Sequence, residues 1–154
     1  MFLLQRRRYW LVALLPLLSI AACSDFKESH YSRMAEARRA GAIDRGWLPD
    51  LLPDNTTNVR EVHDIDTSQT WCAFDLAEPE ATKLQAGMSL LGRTDVLART
   101  IRAPGVGWWP KVLEGRLDPN SLEQASMKLY SSGRLLFAFH VGTGRGFMYR
   151  DSAR

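Results

Sequence analysis

The first 23 residues decide which part of this chain is available to fold. Arg6, Arg7 and Arg8 precede an apolar run from Tyr9 to Ala22, which ends on the small residues Ala21 and Ala22 before Cys23. A charged head, an apolar stretch and a small-residue exit form the pattern of a cleavable export signal. As a helix the fourteen-residue run spans about 21 Å, short of the roughly 20 residues that a bilayer-crossing helix needs. Pro16 interrupts it as well. Residues 1–22 are therefore expected to be a signal peptide, and the fold to be built from the residues beyond Ala22.

Cys23 directly after Ala22 makes this segment resemble a bacterial lipoprotein precursor. The resemblance implies cleavage before Cys23 and lipidation of that residue, palmitate included, giving a membrane-anchored protein of the cell envelope. Ser24 stands where lipoproteins retained at the inner membrane carry an aspartate, which favours the periplasmic leaflet of the outer membrane. Removal of the signal also removes Arg6, Arg7 and Arg8, so 17 acidic residues meet an equal number of basic ones. The basic pI of the whole chain thus gives no reason to expect a nucleic-acid partner. With Cys23 acylated, Cys72 is the remaining thiol; in the stretch Thr70-Trp71-Cys72-Ala73-Phe74 it reads as a small core residue.

The rest of the chain reads as a short tether over 23–28 and a single small domain over 29–154, without repeats or linkers. Ser29 as a cap, the helix formers Met34, Ala35 and Ala37, and Gly41 beyond them predict a helix from Ser29 or His30 to Ala40. Val59 to Ile65 and Thr70 to Leu76 read as strands joined by the turn Asp66-Thr67-Ser68, with Val59, Glu61, His63 and Ile65 on one face. Helices are expected over Glu78 to Ala86 and Asp95 to Ile101, and another after Asp118-Pro119. Ser126 to Tyr130, Arg134 to Val141 and Gly146 to Arg150, separated by glycine turns, predict a three-stranded antiparallel meander. The expected class is α+β: an N-terminal helix, a two-strand segment, short helices and the C-terminal meander.

The stretch Ala40-Gly41-Ala42-Ile43-Asp44-Arg45-Gly46-Trp47-Leu48-Pro49, with Leu52-Pro53, Val59 to Thr67 and Phe74, resembles the YbbD head domain family. The shared features are a Gly-Trp-Leu/Ile-Pro element, a second proline, a strand with a polar His/Asp end and a later phenylalanine. The resemblance implies a small α+β domain in bacterial envelope proteins and carries over no catalytic residue. In this element Gly46 supplies backbone freedom, Trp47 a large aromatic plate to bury, and Pro49 a fixed exit.

Two constellations bear on function. His63, Asp64 and Asp66 form a polar cluster at the end of a strand. Alternation puts His63 opposite the two aspartates, and no second His or Cys lies at ligand spacing, so neither a metal nor another cofactor is expected. Trp108 and Trp109, bounded by Gly107 and Pro110, are the candidate binding residues, since adjacent aromatics in a loop rarely share one core. Gly142 to Gly146 mimics a phosphate loop, but a strand rather than a helix comes after it. Lone Cys72 lacks a nucleophile signature, and the Gly-x-Ser-x-Gly elbow is absent. These readings make no catalytic assignment and favour a non-enzymatic binding or assembly domain with an envelope protein or glycan partner. The alternatives are a peptidoglycan-binding lipoprotein using Trp108 and Trp109, and an envelope hydrolase using His63 with Asp64 or Asp66.

Overall fold

The computed structural model describes residues 26–151. Its dominant feature is one seven-stranded antiparallel sheet. In chain order the strands are β1 (Phe26–Arg33), β2 (Thr57–Asp64), β3 (Thr70–Asp75), β4 (Ser89–Leu90), β5 (Thr100–Ile101), β6 (Gly115–Arg116), β7 (Met127–Ser132), β8 (Leu135–His140) and β9 (Arg145–Arg150). The large sheet runs β1-β2-β3-β9-β8-β7-β4, and β5 pairs with β6 as a separate ribbon. The helices are short: α1 (Met34–Arg39), α2 (Glu78–Ala86), α3 (Arg93–Leu97) and α4 (Pro119–Gln124), with one 3-10 turn at Lys111–Leu113. None of these is long and apolar enough to cross a membrane.

The α+β expectation with an N-terminal helix is therefore corrected: this is a β-sheet protein with a few short helices. Where a helix was expected from Ser29, the chain is the edge strand β1, and only Met34 to Arg39 is helical. Pairing with β2 makes Phe26–Arg33 extended, with Ser29 opposite Glu61 and Tyr31 opposite Val59, while the helix formers Met34, Ala35 and Ala37 fall in α1. The strand begins at Phe26, inside the stretch read as a tether. The C-terminal strands β7, β8 and β9 do form a meander, but inside the larger sheet, where β9 pairs with β3.

Alternation along the strands builds two cores rather than one. On the first face, Cys72 and Phe74 of β3, Phe137 and Phe139 of β8 and Met148 of β9 lie buried beneath α1, α2 and residues 40–56. On the other, Trp71, Ala73, Phe147 and Tyr149 meet Trp109, Leu113 and their neighbours from residues 91–125. Each large apolar side chain buried this way contributes about 1.5–3 kcal/mol. From Thr70 to Phe74 every residue of β3 is buried, so this strand reads as a continuous run.

Two glycines in the β8–β9 hairpin separate strain from steric fit. Gly142 has φ 75° with open space around a would-be Cβ, whereas Gly144, at φ 66°, would place one 1.9 Å from the Leu76 carbonyl oxygen. Gly142→Ala is expected to cost about 1–2 kcal/mol from the left-handed backbone alone. Gly144→Ala adds a backbone collision and is expected to cost more than about 3 kcal/mol. Urea denaturation of both variants checks this; equal losses would contradict it.

Candidate functional site

Strand pairing aligns four side chains across the end of the first face. Lys27 of β1 lies opposite His63 of β2, His63 opposite Thr70 of β3, and Thr70 opposite Arg150 of β9. One row further in, Glu61 sits between Ser29 and Cys72. The turn Arg45-Gly46-Trp47 closes over this row, made possible by Gly46 at φ 74° and held by a 2.9 Å bond from the Trp47 amide to the Ala42 carbonyl. Arg150 Nη2 donates to the Gly46 carbonyl and ties the turn to β9. The result is a cleft of about 410 Å³ whose walls include Lys27, Arg45, Trp47, His63, Ile65 and Arg150.

Trp47 stacks on the His63 ring with centroids 4.1 Å apart and planes 16° from parallel. The Arg45 guanidinium carbon lies 4.2 Å from the Trp47 ring. Two groups so close cannot share one face of the indole, so arginine, tryptophan and histidine form a three-layer stack. The aromatic plate sits between two nitrogen-rich planes, an arrangement that favours positive charge on either side.

Beneath the stack, His63 Nδ1 lies 3.0 Å from Glu61 Oε2. Glu61 is fully buried and His63 is 4% exposed. Burial pushes the Glu61 carboxyl above its ordinary range, and the hydrogen bond and charge of His63, the Ser29 hydroxyl and Arg45 oppose that shift. A carboxyl that keeps its proton donates it to Nδ1, which places the hydrogen of a neutral imidazole on Nε2. In the ion-paired arrangement Nε2 carries a hydrogen too. With an ionised Glu61 and a neutral ring the hydrogen sits on Nδ1 instead; in each arrangement Nε2 is buried without a partner among the described residues. Arg150 Nε shares that condition, and burial, with the charge of Arg134, lowers the Arg150 pKa. Neither Lys27, Arg45 nor Arg150 forms an ion pair among the described residues. Polar atoms left unmatched in a protein interior each cost about 1–3 kcal/mol, and Glu61 Oε1 is a third such atom at this site. The nearby thiol offers no nucleophile: burial first, then the charge of Glu61, pushes Cys72 far above the usual range.

The polar cluster read from sequence separates. Asp64 turns away from His63 and closes the β2–β3 turn, its Oδ1 accepting from the Asp66 and Thr67 amides at 3.0 and 3.1 Å. Its Oδ2 accepts from Arg102 Nη1 at 2.7 Å. Burial alone raises its pKa, but the Thr67 amide, Arg102 and the Asp66 amide outweigh it and hold the carboxyl below its ordinary value. Asp66 is exposed in the turn. Among the described residues no three His, Cys, Asp or Glu side chains are grouped to hold a metal. Trp109 is 3% exposed and packs edge-on to Phe147, while partly buried Trp108 donates from Nε1 to Glu28 at 2.6 Å. Those two indoles meet at 74° and do not form a flat shared platform. Cys23 lies outside the described residues.

The geometry defines a β-sheet domain with a cleft lined by Lys27, Arg45 and Arg150 at one sheet end. A family model for the YbbD head domain matches residues 25–75, about a third of the chain, and this region is YbbD head domain-like. The match takes in β1, α1, the Gly46-Trp47 turn, β2 and β3, which supply every cleft wall named above except Arg150. No curated protein and no solved structure matches the chain.

Glu61, Lys27, Arg45 and Arg150 do not stand out as site residues in the sequence. Glu61 has a signal there, two residues before His63 on the same strand face; the cations are joined to it only by strand pairing. Glu61 provides a test with a defined sign. Its pKa is higher folded than unfolded, so its contribution to stability is full below the unfolded value and is lost as pH rises through the folded value. Glu61→Gln keeps a hydrogen-bonding group beside Nδ1 but cannot ionise. As pH rises above the ordinary carboxyl range the melting temperature of the native protein is expected to fall relative to that of Glu61→Gln. Parallel melting curves would contradict the assignment.

Proposed function

We propose that this chain is a lipid-anchored protein of the bacterial envelope, acting as a non-enzymatic binding or assembly domain whose cleft captures an anionic group. The observation that carries the reading is the cleft itself. It gathers Lys27, Arg45, Arg150 and the unpartnered Nε2 of His63 around one concavity, at the end of the sheet where β1 begins. Only Ser24 and Asp25 stand between Cys23 and that strand. A lipid on Cys23 holds the first residue of the sheet within about 11 Å of the anchor.

The anchor is a matter of transfer free energy. At about 0.8 kcal/mol per buried CH₂, two or more acyl chains hold a protein on a bilayer stably, where one chain does not. Ser24 supports placement on the periplasmic leaflet of the outer membrane. Glycan binding through Trp108 and Trp109 has less support, because Trp109 is buried and the Trp108 nitrogen is engaged by Glu28. The hydrolase reading loses its proposed partners for His63, since Asp64 is committed to the turn and to Arg102.

Fractionation tests the anchor. Expressed in a bacterial cell, the native chain is expected in the membrane pellet and to stay there in high salt, while Cys23→Ala is expected in the soluble fraction. Equal partition of the two would remove the lipid anchor from this account.

A further inference from the structure

We infer that the cleft between the Gly46–Trp47 turn and the end of the sheet takes the phosphate of a bilayer phospholipid headgroup, with Lys27, Arg150 and His63 Nε2–H as its donors. The source of the phosphate rests on the lipid-anchored reading proposed above; the chemistry of the cleft does not.

Three features of the cleft set the ligand chemistry. The first is unmatched donor capacity. The Nε2 of a histidine 96% removed from solvent points at no protein acceptor, and Arg150 holds a buried Nε in the same state. The second is charge. Asp64, the carboxylate on the cleft wall, is already engaged by Arg102 and two backbone amides, leaving Lys27 and Arg150 without a carboxylate partner among the described residues. Arginine and lysine at one site suit a phosphate, whose several oxygens accept from both a planar fork and a point charge. The third is what the cleft withholds. Both faces of Trp47 are occupied, by His63 and by Arg45, so a sugar ring finds no aromatic plate to stack on there.

Position names the source. Lys27 is four residues from Cys23, a reach of at most about 14 Å in extended chain. A domain tethered so closely presents this end of its sheet to the headgroup layer, where anionic phosphodiesters are concentrated and attract basic side chains. Ile65 stands on the cleft wall and is 54% exposed. An apolar residue beside cations suits the boundary between headgroups and acyl chains. The volume of about 410 Å³ exceeds that of a bare phosphate and leaves room for the glycerol on either side of it.

The test uses the full-length lipidated protein in phosphate-free nonionic detergent and follows its histidine side chains by NMR. The chain has three histidines, and His63 alone lines the cleft. Titration with dihexanoylphosphatidylglycerol is expected to shift the His63 signals saturably, with His30 and His140 unmoved. Lys27→Ala, at an exposed edge-strand position that cannot disturb the core, is expected to weaken that binding about tenfold, as loss of one charge-assisted contact does. Arg150→Ala is expected to weaken it further, and Arg150→Lys to restore part of the loss.

Inorganic phosphate is titrated in parallel. If it binds as tightly as the short-chain lipid, the membrane source is overturned. If neither ligand moves His63, the whole proposal is overturned. The anchor is read separately: Cys23→Ala is expected to bind the short-chain lipid as the native chain does. Should that variant remain in membranes while His63 still responds, the anchor fails and the phosphate site stands.

Discussion

Burial of β3 on both of its faces is the constraint on which the rest of this structure depends. A central strand with Trp71 on one side and Phe74 on the other is stable only if the chain supplies a cover for each face. Residues 34–56 and α2 provide one cover, and residues 91–125 the other. Neither is a regular layer, so each depends on turns, prolines and short helices that fit a particular stretch of sheet. The cleft exists where the first cover stops. Gly46 reverses the chain, Trp47 lands on His63, and the last cross-strand row, from Lys27 to Arg150, is left partly roofed.

At that margin the apolar core gives way to a buried polar pair. Glu61 and His63 share a strand face with Val59, and Glu61 faces Cys72 across the ladder. Placing a carboxyl and an imidazole there costs desolvation that a hydrophobic pair would avoid. What the pair provides in return is orientation. The bond at Nδ1 fixes the ring and the Trp47 stack fixes its plane. The sheet supports the site on four adjacent strands, β1, β2, β3 and β9.

Much of this sheet was legible in the residues. The alternation of Leu135, Phe137, Phe139 and Val141, and the glycine turns on either side, pointed to β8 and its neighbours because cross-strand burial leaves a period of two. Asp118-Pro119 marked the start of α4, where the Asp118 side chain accepts from the Asn120 and Ser121 amides. β1 was not legible, for a physical reason. Phe26, Glu28 and His30 alternate with Lys27, Ser29 and Tyr31, so neither face carries an apolar stripe, and edge pairing alone makes the segment extended. The site was half legible. His63 and Trp47 stood out, but the neighbours of His63 in sequence are not its neighbours in space. Asp64 belongs to the opposite face, while Arg45 and Arg150 arrive from a turn and a strand far along the chain.

The claim at the centre of this account is that the pair beneath Trp47 presents a hydrogen, not a lone pair, to the cleft. Nitrogen-15 NMR of the His63 imidazole in the ligand-free protein measures this directly, through the chemical shifts and couplings of its two ring nitrogens. A protonated Nε2 is the result expected, whether Nδ1 accepts from the Glu61 carboxyl or both nitrogens carry hydrogen. An Nδ1–H tautomer with a bare Nε2 would contradict it: the cleft would then hold a base in place of a donor, and the anion-binding account would fall.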